Sequence, residues 1–237
     1  MKHSILNLIS SILIIFSIVS CSCGNEKDQE TKGATENIEV KDSTLTEKSS
    51  NQITNNMAFD IKSLPEEPIF NIVTNLGTIK IKLYSKTPLH KENFIKLASE
   101  RFFDGIIFHR VINGFMIQTG DPYTKDESKA SLYGTGGPGY TVPAEFVKEY
   151  FHKKGALAAA RRGDAANPKK ASSGSQFYLV QDEVNCMQLD DEYTIFGETI
   201  EGLDVIDKIA AVETDRYDRP YENITILSVL PEINEKN

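Results

Sequence analysis

An Asn-Gly pair, Asn113-Gly114, stands between two short apolar runs at 106–112 and 115–118. A two-residue hairpin turn needs φ > 0 at its central positions, which Asn and Gly tolerate, so this dipeptide ties the two runs into antiparallel strands. The same punctuation recurs along the chain. Residues 69–74 and 78–83 are β-branched runs parted by Asn75-Leu76-Gly77, and the second alternates apolar and polar side chains with the period of a strand. Further strand candidates lie at 156–161, 176–180, 193–198 and 224–229. Only two stretches read as helices. One opens at Thr87-Pro88, an N-cap followed by proline at the first helical position, carries Phe94, Leu97 and Ala98 on one face, and stops before Asp104-Gly105 after roughly four turns. The other spans about 203–210, with Ile206, Ile209 and Ala210 on one face. Many short strands and two helices describe a mainly β domain: a closed antiparallel barrel capped by two α-helices.

This pattern begins at Pro68, and what precedes it is of another kind. Lys2 and His3 lead into an apolar stretch from Ile5 to Val19. It falls short of the ~20 residues a helix needs to cross a bilayer and has the build of a signal peptide, residues 1–20. The stretch ends in Ile18-Val19-Ser20-Cys21, similar to the lipobox of bacterial lipoproteins. That resemblance implies a lipid thioether on Cys21 and an anchored mature N-terminus. Cys23 is a weaker acceptor, lacking the aliphatic residue three positions before it, and Ser22, which is not Asp, points to the outer membrane. From Ser22 to Glu67 the chain is polar, with Phe59 its one aromatic, so residues 21–67 read as a lipidated N-terminus and disordered tether. The folded domain is then 68–232 and 233–237 a C-terminal tail. Within the whole chain, 40% apolar residues, including 12 Phe and 9 Tyr, suffice for a core, and a net charge of -8 argues against a nucleic-acid binder. The third cysteine, Cys186, reads as a small buried apolar residue, with a Cys23–Cys186 bridge as the alternative; three scattered cysteines support no metal site.

The run from Phe108 to Asp121, FHRVINGFMIQTGD, resembles the cyclophilin signature F-H-R-hydrophobic-hydrophobic-x-G-F-M-x-Q-x-G-D. Four further segments match that family in order. They are the Gly-rich Gly134-Thr135-Gly136-Gly137-Pro138-Gly139-Tyr140, the strand Gly155-Ala156-Leu157-Ala158-Ala159-Ala160-Arg161, Ser173-Gly174-Ser175-Gln176-Phe177-Tyr178, and the segment from Leu189 to Gly197. The resemblance covers residues 68 to 231 and implies an eight-stranded closed barrel with peptidyl-prolyl cis-trans isomerase activity. It also implies roles. Arg110 is the catalytic cation. Phe115, Met116, Tyr178 and Leu189 wall a proline pocket. Gln118 and Gln176 orient Arg110 and the substrate backbone. Ala160 and Arg161 lie along the peptide groove, and Tyr193 stands where many relatives have His.

The residue types suit the reaction. Rotation about an X–Pro amide costs ~18–20 kcal/mol because the twisted state loses resonance. Its nitrogen then gains a lone pair, and a fixed donor aimed there favours the twisted state over the planar one. A guanidinium stays charged and offers several donors on a rigid fork, and an apolar surround strengthens the contact. No cofactor or metal is required. Taken without the resemblance, Arg110 is an ordinary surface arginine, and Phe115 and Met116 are core residues that cannot both enter one core from adjacent strand positions without a bulge. His109 reads as structural, His90 and His152 as surface residues, and Asp190, Asp191 and Glu192 as a solvated turn. The Gly-rich segment fits G-x-G-x-x-G, but Pro138, Pro143 and the lack of a following helix exclude a dinucleotide loop. Where the family's best-known members have Trp, Gln188 stands, implying weak cyclosporin sensitivity, and Tyr178 replaces Phe, bringing a hydroxyl that needs a partner. The polar loops at 124–132 and 162–172 read as surface decorations. The expected partners are proline-containing polypeptides and, through the lipid, a membrane. The expected state is a monomer in the cell envelope, folding exported proteins, with the domain in the periplasm or at the cell surface. A proline-binding chaperone with little turnover is the alternative, and a purely structural lipoprotein a weaker one.

Overall fold

The computed structural model describes residues 58–232. The expected signal peptide, Cys21, Cys23, most of the tether and the 233–237 tail lie outside the described residues. β1 (Ile69–Thr74) and β2 (Gly77–Leu83) form the first hairpin, with Phe70, Ile72, Ile79, Ile81 and Leu83 fully buried on one face. In its turn the Thr74 hydroxyl donates to the Gly77 carbonyl (2.7 Å) and accepts from the Leu76 N–H (3.1 Å). β3 (Arg110–Ile112) and β4 (Met116–Thr119) form the Asn-Gly hairpin. β5 (Thr141–Val142), β6 (Ala156–Arg161), β7 (Ser172–Val180), β8 (Ile195–Glu201) and β9 (Ile226–Pro231) complete one antiparallel sheet of order β3-β4-β7-β6-β8-β2-β1-β9, with β5 beside β7.

The sheet differs from the expected closed, eight-stranded barrel. Among the described residues it has nine strands, and it curls without closing: its edges β3 and β9 do not pair as strands. The segment before β3, expected as strand from Ile106, meets the other edge through an isolated bridge between Ile107 and Thr225. Around that bridge the backbones do bond, Phe108 N–H to the Ile224 carbonyl (2.9 Å), Ile226 N–H to the Ile106 carbonyl (2.8 Å) and Gly105 N–H to the Ile226 carbonyl (2.8 Å). Ile107, turned the other way, is held by side chains, its N–H donating to the Thr124 hydroxyl (3.2 Å) and its carbonyl accepting from the Thr119 hydroxyl (3.0 Å). β5 is only two residues long, too short for alternation to mark it in sequence.

Helix α1 (Pro88–Ser99) buries Phe94, Leu97 and Ala98 as expected. Its N-terminus is capped differently. The Thr87 side chain makes no capping bond; the Glu145 carboxylate instead accepts from the N–H groups of Leu89 and His90, both at 3.0 Å. A carboxylate brought from far along the chain satisfies two orphan donors and faces the positive end of the helix dipole. A single turn, α2 (Glu183–Cys186), is capped by Asp182, and α3 (Leu203–Ala210) buries Val205, Ile206, Ile209 and Ala210.

Two apolar clusters result. The main core contains Phe70, Phe94, Phe103, Phe108, Phe177 and the buried face of α3. A smaller cluster contains Met116, Ala158, Ala160, Tyr178, Val180, Cys186 and Ile195. Neighbours in sequence divide between them, Ile117 and Phe177 to the first, Met116 and Tyr178 to the second, because successive strand residues face opposite sides. The boundary drawn at Pro68 falls late. Asp60 caps a 3-10 turn at Ile61–Ser63, and Phe59, Ile61 and Leu64 pack on the main core, with Phe59 edge-on to Phe70 at 5.7 Å. Three apolar residues in a polar stretch are enough to fasten it, a signal that average composition dilutes.

Candidate active site

The strand registers set the site. Arg110 lies opposite Gln118, Gln118 opposite Tyr178, and Tyr178 opposite Ala158, so four side chains from β3, β4, β7 and β6 stand in one row on one face. Gln176 is buried, and its Nε2 donates to the carbonyls of Gly134 (3.1 Å) and Gly136 (2.8 Å). Its amide oxygen therefore accepts, and Gln118 Nε2 donates to it at 3.0 Å. This chain fixes which way the Gln118 amide turns and leaves its Oε1 for a ligand or for the guanidinium. Arg110 is 43% exposed and pairs through Nε with Asp218 Oδ2 at 3.6 Å.

Beside the row, Phe115, Met116, Ala160, Tyr178, Leu189 and Tyr193 all belong to the smaller apolar cluster. Phe115 and Met116 share it because Phe115 sits in the turn, one residue before β4, where strand alternation does not yet apply. Tyr178 packs edge-on to Tyr193, with ring centroids 6.0 Å apart. Its hydroxyl points the other way, to His152 Nε2 (2.8 Å), while His152 Nδ1 meets Asp190 Oδ1 at 2.6 Å. The carboxylate accepts from Nδ1–H, so in the neutral ring Nε2 is the acceptor and the Tyr178 hydroxyl donates. Burial lowers the His152 pKa against the pull of Asp190, and burial raises that of Tyr178. Tyr in place of Phe thus turns its hydroxyl to His152 while its ring stays in the apolar cluster.

His152 and His90 are therefore not the surface residues the sequence suggested. Both are buried, each beside a carboxylate; His90 Nδ1 meets Glu145 Oε2 at 2.6 Å and its Nε2 meets the Ser172 hydroxyl at 2.9 Å. Nor are Asp190 and Glu192 a free solvated turn: Asp190 holds His152, and Glu192 pairs with Arg161 and Lys170. His109 is buried with neither ring nitrogen hydrogen-bonded, and burial pushes its pKa down to about 4, which fits a packing role.

Alongside the smaller apolar cluster runs an open cleft of about 540 Å³ lined by Gln118, Ala160, Arg161, Gln176, Tyr123, Tyr140 and the Gly-rich loop. Arg110, Phe115, Met116 and Leu189 do not line it; Ala160 belongs to both the cleft and the cluster, and Gln118, opposite Arg110, lines the cleft. Arg161 is a wall rather than a free arm. Its side chain is 5% exposed, its Nε donates to the Glu192 carbonyl (2.8 Å), its other nitrogens reach Asp164 and Glu192, and it lies over the Tyr193 ring at 4.4 Å. Gln188 folds back, donating to the Asn185 carbonyl at 2.6 Å.

One structural residue of the site had no role assigned from sequence. Asp121, fully buried, accepts from the N–H groups of Tyr123 (2.7 Å), Gly134 (2.5 Å) and Gly136 (3.0 Å), and so fastens the Gly-rich loop under Gln176. A Cβ at position 136 would fall 2.1 Å from Asp121 Oδ1, which is why glycine stands there. The signal was an aspartate closing the signature just before a turn.

This arrangement, a half-exposed guanidinium and two coupled amides beside an apolar cluster on a curled antiparallel sheet, agrees with the comparisons. Residues 69–230 match the model of the cyclophilin type peptidyl-prolyl cis-trans isomerase family, and the chain belongs to that family. It is 38% identical to peptidyl-prolyl cis-trans isomerase B of Streptomyces anulatus over 71% of this chain and 99% of that protein. It is 39% identical to peptidyl-prolyl cis-trans isomerase CYP71 of Arabidopsis thaliana, of which it spans 24%. Among solved structures, a cyclophilin type peptidyl-prolyl cis-trans isomerase of Cryptosporidium parvum superposes with a TM-score of 0.62 at 29% identity, over 71% of this chain and 99% of that one.

Proposed function

We propose that the chain accelerates cis-trans isomerisation of X–Pro bonds, with Arg110 as the catalytic residue and the hollow of Phe115, Met116, Tyr178, Leu189 and Tyr193 as the seat of the proline ring. The observation that carries the reading is the row of Arg110, Gln118 and Tyr178 across three strands, which sets a charged donor at the rim of an apolar surface. Proline held in the hollow keeps its ring fixed while the preceding residue rotates, and the guanidinium donates to the nitrogen as it becomes pyramidal. Gln118, turned by Gln176, takes the substrate backbone. No proton is transferred, so the neutral histidines have no step to perform. The 38% identity to an isomerase matched along nearly its whole length supports the activity.

We further propose that this domain acts on exported proteins in the cell envelope, as a monomer tethered through a lipid on Cys21. The support is the apolar run ending in Ile18-Val19-Ser20-Cys21 and the polar stretch that follows it. Labelling with a radioactive fatty acid tests the anchor: incorporation is expected in the native chain and absent from Cys21→Ala. For the activity, a refolding reaction limited by a proline isomerisation is expected to accelerate with the chain and to lose that acceleration with Arg110→Ala. Equal acceleration by both would overturn the role of Arg110. Binding of proline segments without acceleration by either would replace the enzyme with a chaperone.

A further inference from the structure

The loop between α3 and β9 returns against the face that carries Arg110. It closes on itself: Thr214 bridges Pro220, the Asp215 N–H donates to the Arg219 carbonyl (2.8 Å), and the Asp218 N–H to the Asp215 carbonyl (3.0 Å). The Asp215 carboxylate also accepts from the N–H groups of Tyr217 (2.8 Å) and Arg219 (3.0 Å). This turn holds Asp218 at φ +63°, a left-handed conformation that Asp, Asn and Gly accept and most residues resist. It is clamped to the active face, since the Val111 N–H, next to Arg110, donates to the Asp218 carbonyl at 2.7 Å. The Asp218 carboxylate thereby stands 3.6 Å from Arg110 Nε, while the neighbouring cation Arg219 is drawn off onto the Tyr133 ring at 4.3 Å.

We propose that Asp218 is a positioning residue that acts through Arg110. With side chains 43% and 44% exposed, the pair adds little to stability. Its effect is on orientation. A long arginine side chain at a strand edge samples many rotamers, and a carboxylate fixed by the backbone selects those with Nε turned to it. The two terminal nitrogens are then left for the substrate. The ordering cost is met before substrate arrives, so the gain falls on the transition state. This inference rests on the reading of Arg110 as the catalytic cation.

The test is a double-mutant cycle in a peptide isomerisation assay: the native chain, Asp218→Gly, Asp218→Asn, Arg110→Ala, and Arg110→Ala with Asp218→Gly. Both substitutions at 218 accept the left-handed backbone, and unchanged thermal midpoints confirm the loop. Asp218→Gly is expected to lower kcat about tenfold with KM within about twofold, the mark of an interaction used in the transition state. Asp218→Asn, which keeps an oxygen beside Nε but removes the charge of the pair, is expected to recover only part of that loss. With Arg110 absent, Asp218→Gly is expected to change the residual rate by less than about twofold. An equal loss with and without Arg110 would make Asp218 a structural residue and overturn the inference. So would an unchanged rate in Asp218→Gly beside a strongly impaired Arg110→Ala. Full activity of Arg110→Ala would instead remove the reading on which the inference rests.

Discussion

Tyr178 carries the clearest division of labour in a single side chain: its ring faces the hollow and its hydroxyl faces His152. Removing the hydroxyl in Tyr178→Phe therefore leaves the hollow unaltered and strands the buried His152 Nε2. Chemical denaturation is expected to show a loss of about 1–2 kcal/mol, with isomerisation of a standard X–Pro peptide within about threefold of native. A large loss of activity without a stability change would mean that the hydroxyl meets the substrate. The buried histidines set the pH dependence. His109 titrates near 6.5 when unfolded and near 4 when folded, because burial disfavours its charged form. Between those values the unfolded chain binds more protons, so stability is full above pH 6.5 and falls as pH drops toward 4. His90 and His152, both lowered by burial, act in the same direction. Urea unfolding at pH 5 is expected to give a free energy lower than at pH 7 by about 2 kcal/mol from His109 alone. A stability that is flat across this range would contradict the neutral, buried state of these rings.

Local signals in the sequence were sufficient where neighbours in the chain are also neighbours in the fold. The first hairpin and α3 fall where the turn residues and periodicity put them, and the Asn-Gly hairpin forms too, though around a three-residue turn that includes Phe115, with positive φ at Gly114 and not at Asn113. The misses around α1 and the buried histidines share one cause, a partner distant in sequence. Thr87 has the chemistry of an N-cap, yet Glu145 does the capping, and no local rule announces a carboxylate from another loop. Likewise His90 and His152 looked like surface residues until Glu145 and Asp190 were brought to them. The residues proposed for the proline seat were legible only through the family resemblance; spacing alone could not have put Leu189 in one cluster with Met116. Glu145→Gln, which keeps the shape but removes the charge shared by the α1 terminus and His90, is expected to cost about 1–2 kcal/mol of stability at pH 7. An unchanged thermal midpoint would show that Glu145 is a bystander.

At the scale of the molecule, the curled sheet has two apolar faces: one makes the core with α1 and α3, and the other carries the smaller cluster proposed above as the proline seat. The strap at 58–67 belongs to the first. A chain that begins at residue 68 loses Phe59, Ile61 and Leu64 and is expected to be less stable than one that begins at 58 by at least about 2 kcal/mol, with similar activity per folded molecule. Equal stability would return the strap to the tether. The account as a whole depends on one donor that acts on the twisted imide and little on the flat one. Exchange NMR on an X–Pro peptide measures this directly, because it reads the cis-trans rate of the bound peptide and its affinity from the same samples. With Arg110→Ala the account predicts an exchange rate at least about 100-fold slower, some 2.7 kcal/mol of barrier, and an affinity within a few-fold of native. Exchange as fast as in the native chain, or a loss confined to affinity, would contradict it.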